Sequence, residues 1–217
     1  MSRADTIAYR VSDWNRRRKW RLFQEAVGPN SETLILDVGY QDLSLQAADN
    51  FIEENYPWPR QITALGIEDP VNFSKRYPDV KVVVYDGVTF PFEDAAFDVV
   101  WSNAVLEHVG DRKDQLHFLR ECARVGKTAF VTTPNRHFPV EVHTRIPLLH
   151  WLPTPWFDWI LRRVGKERFA GDYMNLLSAR KLRALLSDAG IHDARVVKNR
   201  LLGPTLDFVV IWRSTGP

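Results

Sequence analysis

Three carboxylic acids end or directly follow short apolar runs of the sequence: Asp37, Glu68 and Asp86. Apolar runs of this length are typical of buried parallel strands, and the carboxyl ends of parallel strands meet at one edge of a sheet. Carboxylates brought together at that edge repel one another unless hydrogen-bond donors or a positive charge lie between them. The three acids therefore predict a site for a ligand with a ribose diol, an exocyclic amine and a cationic centre.

The first of these runs leads into a turn that contains glycine. Asp37-Val38-Gly39 closes the run, a helical pattern follows, and the second run ends in Glu68. A strand, a glycine turn, a helix and a second strand ending in an acid form the nucleotide-binding half of a doubly wound sheet. A dinucleotide would also need a seat for its pyrophosphate, which acids oppose. The arrangement thus favours S-adenosylmethionine over NAD as the ligand.

The elements that must position these acids follow from the alternation of apolar runs with helical patterns. The sequence predicts an α/β fold, a Rossmann-like doubly wound seven-stranded sheet whose last strand is antiparallel, because no helix separates the last two runs. We expect a single domain over residues 1–217, with a leading helix in residues 1–30 that Ser12 caps and a proline- and aromatic-rich lid at 134–172. The predicted strands are 33–38, 62–67, 80–85, 97–102, 127–132, 191–198 and 207–213, and the predicted helices are 7–27, 45–56, 71–77, 111–124, 155–163 and 178–189.

Composition and charge narrow the class of protein. Of the 217 residues, 45% are hydrophobic, which suffices for a full core, and the net charge of +2 is too small to indicate a nucleic-acid partner. The single cysteine, Cys122, is expected in the core and excludes an internal disulfide framework, as in a cytoplasmic protein. No apolar run is long enough to span a bilayer. His137, His143 and His150 have spacings that fit no metal site, so we expect no metal.

Four pieces of the sequence carry a family resemblance in their order and spacing. The chain resembles the class I S-adenosylmethionine-dependent methyltransferases, in particular the small bacterial type-11-like set. The resemblance extends from Thr33 to Asn135, and its most specific part lies between Asp86 and Asp111. The matching pieces are LILDVG, ALGIED, VVVYDGVTFPFEDAAFDVVWSNAVLEHVGD and FVTTPN.

The resemblance implies S-adenosylmethionine as the cofactor and methyl transfer as the activity. It also implies a role for each residue that matches one of the family's motifs. These are Asp37 and Gly39 at the methionine end of the cofactor, Glu68 at the ribose diol, Asp86 and Gly87 at the adenine, and Asn103 and Ala104 along the substrate side.

The turn after the first strand departs from the family's pattern. Gln41 and Leu43 stand where the family has its later glycines. Because glycine allows a positive φ and a close approach of ligand to backbone, these residues predict a differently shaped, wider turn. An alternative follows: a methyltransferase-like binding or scaffold protein without turnover. A nucleotide-sugar or NAD-dependent enzyme is a weaker alternative, since the first strand is followed by no glycine-rich phosphate turn.

Methyl transfer to a hydroxyl or an amine benefits from a general base. The candidates are His108, after the fourth strand, and His143, in the lid; Asn135, just past the fifth strand, could position the substrate through its amide. The alternatives stay open at this point. Glu107 or His108 could instead cap or pack the local turn, and Asn135 could serve as a turn residue after Pro134.

The acceptor and the partners depend on the least family-like parts of the chain. Aromatic and basic residues in the lid suit a small-molecule, sugar or lipid-linked acceptor, such as a lipid-linked sugar, a nucleotide sugar or a quinone precursor. Two stretches are candidates for peripheral contact with a membrane: the basic run 16–19 of the leading helix and the aromatic segment 156–160. We favour a solvated helix face for the first and a cover over the open sheet face for the second. The sequence leaves the acceptor atom and the oligomeric state open.

Overall fold

The apolar runs form one seven-stranded sheet in the order β3-β2-β1-β4-β5-β7-β6. The structure is a computed structural model that describes residues 3–43, 49–140, 146, 148–165, 167 and 174–214. Strands β1 to β5 run parallel to one another, whereas β7 runs antiparallel to both β5 and β6. The predicted fold class is therefore confirmed. The strands are β1 (Ile35–Val38), β2 (Ile62–Gly66), β3 (Lys81–Val84), β4 (Phe97–Asn103), β5 (Gly126–Pro134), β6 (Arg195–Arg200) and β7 (Thr205–Arg213).

Helices cover both faces of this sheet, as its apolar strands require. Helices α4 and α6 share a core with one face of the sheet, and helices α1 to α3 share a second core with the other. In the second core Phe23 of α1 meets the rings of Trp101 and Phe130, whose centroids are 4.9 and 5.4 Å away. The helices are α1 (Arg3–Val27), α2 (Phe51–Asn55), α3 (Val71–Arg76), α4 (Arg112–Val125), α5 (Thr154–Arg163) and α6 (Ala179–Asp188).

Two helix starts were predictable from local chemistry. The carboxylate of Asp111 accepts hydrogen bonds from the amides of Lys113 and Asp114, and the side chain of Asp114 accepts one from the Asp111 amide, which forms a capping box for α4. The hydroxyl of Ser178 accepts a hydrogen bond from the Lys181 amide at the start of α6. Both predicted caps are confirmed.

Other local predictions were wrong. Ser12 lies inside α1, which already begins at Arg3, so it does not cap the helix. Strand β3, predicted to be buried from its valines, is the edge strand of the sheet, and Val84 is exposed. Helix α2 begins at Phe51 after a turn, and residues 45–48, the start of the predicted helix 45–56, lie outside the described residues. In the part of the chain that the structure describes, no helix is long and apolar enough to cross a membrane.

Candidate functional site

The order of the strands places a crevice between the carboxyl ends of β1 and β4. The chain leaves β1 toward β2 on one side, whereas β4 pairs with the other side of β1, so the direction of the strand order changes there. Ligands of doubly wound sheets bind at such a point. Gly39 follows β1 with φ +101°, and a Cβ built on it would stand 2.4 Å from Cγ2 of Val105, which follows β4. Only glycine therefore fits where these two loops meet.

Two of the three predicted acids are exposed at this edge. The Oε2 atom of Glu68 accepts a hydrogen bond from the Asp42 amide (3.2 Å), and the Oδ1 atom of Asp86 accepts from the amides of Val88 and Thr89 (2.9 and 3.3 Å). The second carboxylate oxygen of each acid has no protein donor among the described residues. Glu68 and Asp86 are thus held in place by one oxygen and can accept from a ligand with the other.

An apolar wall adjoins these two acids. Ile67 and Val88 are large hydrophobic residues that are exposed here, and between them Gly87 turns with φ +82°. A Cβ at Gly87 would stand 3.4 Å from Cγ2 of Ile67, so the absence of a side chain keeps this gap open. Sequence reasoning missed Ile67 and Val88, although an exposed-looking apolar residue within two positions of each strand-end acid was a usable signal.

The loop that carries Asp86 and Gly87 is fastened to helix α4. Arg124 donates to the carbonyls of Phe90 and Phe92 (2.9 and 2.7 Å), and the Glu121 carboxylate accepts from the Phe90 amide (2.8 Å). Arg124 also pairs with Glu121 through two hydrogen bonds, which lower the pKa of Glu121 and raise that of Arg124. The edge of the site beyond β3 is therefore held by charged side chains from α4.

Side chains shape the turn after β1 in place of the missing glycines. The ring of Tyr40 is buried 4.7 Å from that of Phe73. It has room there because Gly66 has no side chain: a Cβ at that position would stand 2.6 Å from the tyrosine ring. The Asp42 carboxylate accepts from the backbone amides of Asn72 and Phe73 (2.7 and 2.9 Å) at the start of α3. These bonds lower the pKa of Asp42. The turn is thus tied to α3 and keeps a defined shape without further glycines.

The third acid lies elsewhere. The carboxyl of Asp37 is buried, on the face of the sheet that α2 covers, and it lies against the buried carboxyl of Glu53. Burial raises the pKa of Asp37 to about 6; burial and the charge of Asp37 raise the pKa of Glu53 well above its usual range. Within the described residues, neither Glu53 oxygen meets an N–H or O–H donor, so we infer that Glu53 keeps the proton and donates a hydrogen bond to the Asp37 carboxylate.

This pair leads to a prediction for Glu53→Gln. A folded-state pKa raised above the unfolded value contributes stability that is present below the unfolded pKa and lost as the pH rises through the folded pKa. Glutamine donates to Asp37 at every pH. We expect the variant to match the parent near pH 5 and to exceed its unfolding free energy near pH 8 by about 1–3 kcal/mol.

Urea unfolding from pH 5 to 8 measures this difference. Glu54→Gln is the matched control, because Glu54 is the exposed neighbour that pairs with Arg76, and it should gain no stability at pH 8. Parallel pH profiles for the parent and Glu53→Gln would contradict the shared proton.

Asn103 belongs to a buried polar network that sequence reasoning missed. Its Oδ1 atom accepts from the Lys19 ammonium (2.7 Å) and the Thr132 hydroxyl (2.8 Å). Lys19 also pairs with the Asp207 carboxylate (3.4 Å), which accepts from the Asn15 amide (2.7 Å). Because a lysine ammonium can only donate, the Asn103 oxygen must face it and the Asn103 NH2 group points away from it. Burial lowers the pKa of Lys19.

A signal for this network was present in the sequence. Asn15 and Lys19 precede Phe23 at intervals of four, so two polar residues share the helix face that packs on the sheet. Both are buried, as is Asp207. A lysine in the buried stripe of an amphipathic helix needs a buried partner and could have been identified on that ground.

The remaining predicted residues lie near this edge or outside the described residues. Ala104 turns with φ +62° after β4. His108, half-buried, donates its backbone amide to Val105 O (2.8 Å). The Asn135 side chain donates to Thr205 O (2.8 Å) and accepts from the amide of residue 137 (3.1 Å), so both ends of its amide group are engaged within the chain. His143 lies outside the described residues.

Comparisons with known sequences find methyltransferases similar to part of this chain. Residues 51–129 match a family model described as a methyltransferase domain. A probable S-adenosylmethionine-dependent methyltransferase from Mycobacterium tuberculosis is 38% identical over 82 residues, which are 36% of this chain. The match spans only 29% of that relative's length.

Solved structures share the fold over most of the chain. An S-adenosylmethionine-dependent methyltransferase from Methanosarcina mazei has a TM-score of 0.54 at 17% identity, over 86% of this chain and 94% of that one. The N-terminal domain of EvdMO1, solved with SAH bound, has a TM-score of 0.55 at 21% identity, over 92% of this chain and 81% of that one. At these identities the likeness extends to the fold alone.

Proposed function

We propose that this chain is a class I S-adenosylmethionine-dependent methyltransferase. We further propose that it transfers the methyl group to a small-molecule, sugar or lipid-linked acceptor. The observation that carries the proposal is the edge formed by Glu68 and Asp86. Each exposes one carboxylate oxygen, and the apolar side chains of Ile67 and Val88 lie beside them. An edge of two acids and an apolar wall suits a nucleoside.

The residues at this edge fit S-adenosylmethionine. Glu68 would accept hydrogen bonds from the ribose hydroxyls, and Asp86 one from the adenine amine. Ile67 and Val88 would contact the adenine, and there is room for it because Gly87 has no side chain. Gly39 would lie at the methionine end, while the role of Asp37 there stays a prediction, since its carboxyl is buried against Glu53.

The chain itself has to orient the acceptor and exclude water. Bound S-adenosylmethionine supplies a methyl group on a sulfonium, which is electrophilic without further activation. The NH2 group of Asn103 has no acceptor among the residues that the structure describes and is available to a ligand, while Lys19 and Thr132 hold the amide oxygen. We assign the general base to His108, which would accept the proton of a hydroxyl or amine acceptor. In-line positioning then supplies most of the rate enhancement.

Calorimetric titration with S-adenosylmethionine and SAH tests the cofactor site. We expect micromolar binding by the parent and a loss of roughly tenfold to a hundredfold in Glu68→Ala, because each hydrogen bond between a charged group and the ribose contributes about 1.5–3 kcal/mol. Asp69→Ala is the matched control: Asp69 is the exposed neighbouring acid, and its loss should leave the affinity nearly unchanged. Thermal unfolding of both variants should match the parent.

Either of two results would contradict this placement. Equal losses in Glu68→Ala and Asp69→Ala would mean that the ribose lies elsewhere. No binding of either ligand by the parent at millimolar concentration would mean that the turn around Tyr40 and Gln41 closes the site, and a binding or scaffold role would then replace catalysis. Where binding is found, incubation with radiolabelled S-adenosylmethionine and candidate acceptors identifies the product.

A further inference from the structure

Helix α5 and the 3-10 turn that precedes it (Leu149–Trp151) expose an unusual amount of apolar surface. Trp156, Trp159 and Trp151 are 62%, 52% and 48% exposed. The prediction that the aromatic residues of this segment cover the open sheet face is therefore wrong for Trp156 and Trp159. Adjacent large apolar side chains are exposed as well: Leu148, Leu152 and Val164. Contiguous exposed apolar surface of this kind marks an interaction site.

The other face of the same helix already has its partners. Phe157 and Ile160 pack against Leu149 and Leu161, which are buried in a small cluster of their own. The outward tryptophans contact each other edge to face, with ring centroids 6.4 Å apart. The inner face of the helix thus completes a small core, whereas its outer face exposes aromatic rings to solvent.

The end of this helix is basic. Arg162 and Arg163 form its last turn, and the Arg163 guanidinium lies 5.0 Å from the centroid of the Trp159 ring. Neither arginine has an ion-pair partner among the described residues. Tryptophans beside unpaired arginines match the interface of an anionic bilayer, where indole rings lie at the level of the headgroups and cations meet phosphates.

Hydrogen bonds hold this segment beside the mouth of the sheet. The Trp151 indole donates to Arg136 O (3.0 Å), and a ring nitrogen of His150 lies 2.9 Å from the same oxygen. Arg136 follows the end of β5 by two residues, and its amide donates to Leu177 O (3.0 Å). The 3-10 turn that leads into α5 is therefore held beside the carboxyl end of β5.

We propose that residues 148–164 dock the protein on an anionic lipid surface. Trp151, Trp156 and Trp159 enter the interface, and Arg162 and Arg163 face the lipid phosphates. A second copy of the chain is the competing occupant; the two arginines at the end of the helix, beside exposed tryptophans, favour the lipid surface. The proposal does not depend on methyl transfer, although it would place an acceptor held in the membrane beside the site.

Vesicle co-sedimentation of the full chain tests the proposal. Vesicles of phosphatidylcholine alone are compared with vesicles that also contain phosphatidylglycerol. We expect the parent to bind the anionic vesicles, and Trp156→Ala/Trp159→Ala to lower its partition coefficient roughly tenfold or more, since these are the two most exposed tryptophans of the segment. Arg162→Glu/Arg163→Glu should remove the preference for phosphatidylglycerol.

Trp14→Ala is the matched control. Trp14 is an exposed tryptophan on α1, and Arg18 lies 5.5 Å from its ring, as Arg163 lies beside Trp159. Its loss should leave vesicle binding unchanged. SAH affinity should be the same in every variant, which keeps a failure of this proposal distinct from a failure of the cofactor site.

Three outcomes would overturn the proposal. The parent could fail to bind either kind of vesicle. Trp14→Ala could lose as much binding as the double variant, which would place the contact on the basic leading helix. Sedimentation equilibrium could show a dimer that Trp156→Ala/Trp159→Ala converts to a monomer, in which case a second copy covers this face.

Discussion

Asp207→Ala is expected to lower the free energy of unfolding by about 3–5 kcal/mol, because it leaves the Lys19 ammonium buried without its counter-charge. Both side chains are more than nine-tenths buried, and they lie 3.4 Å apart beneath α1. Asn103 and Thr132 would still contact the ammonium, but neither carries a charge. Urea unfolding at pH 7 measures the loss.

The partner variants separate the ion pair from simple packing. Lys19→Met alone leaves the Asp207 carboxylate buried and should also be strongly destabilising. The double variant removes both charges and should recover most of the loss, since an apolar pair can replace a buried ion pair at little cost. If the losses of the two single variants simply add in the double variant, Lys19 and Asp207 do not depend on each other.

This network also bears on the candidate site. The Asn103 amide is oriented by Lys19, so Lys19→Met should reduce SAH affinity or turnover beyond any loss of folded protein if Asn103 meets the ligand. A binding isotherm measured well below the unfolding transition separates these effects, because it counts only folded molecules.

Gly39→Ala is expected to cost about 2–4 kcal/mol of stability, from a steric overlap and a strained backbone together. A Cβ there would stand 2.4 Å from Cγ2 of Val105, and φ is +101°, where side chains are rarely tolerated. The overlap lies where the loops after β1 and β4 meet, so the folded fraction should also lose affinity for S-adenosylmethionine. Thermal unfolding and SAH titration measure the two effects.

Two further variants divide the cost into its parts. Gly190 has φ +82° and no atom within 4 Å of the place that a Cβ would occupy, so Gly190→Ala reports backbone strain alone, about 1 kcal/mol. Val105→Ala in the Gly39→Ala background should restore the steric part but not the strain. Equal destabilisation by Gly39→Ala and Gly190→Ala would mean that Val105 yields to the methyl group without cost.

The sequence alone determined the framework of this protein. The fold class and the Asp111 cap of α4 were predictable and are confirmed, and the resemblance to methyltransferases agrees with the family model that matches residues 51–129. The positions of Glu68 and Asp86 at strand ends followed as well. These features depend on local patterns, such as an apolar run, a turn residue or a cap, which neighbouring residues encode by themselves.

The tertiary structure decided which of these groups face a ligand. Asp37 ends an apolar run just as Glu68 does, yet its carboxyl is buried against Glu53. Lys19 belongs to a basic run of the leading helix, yet its side chain is buried with Asp207. Trp156 and Trp159 could have covered the sheet but are exposed. Contacts between residues far apart in the chain decide whether a side chain is buried and with which partner. Because desolvating a charge is costly, these contacts determine which charged side chains are paired inside and which remain available for binding.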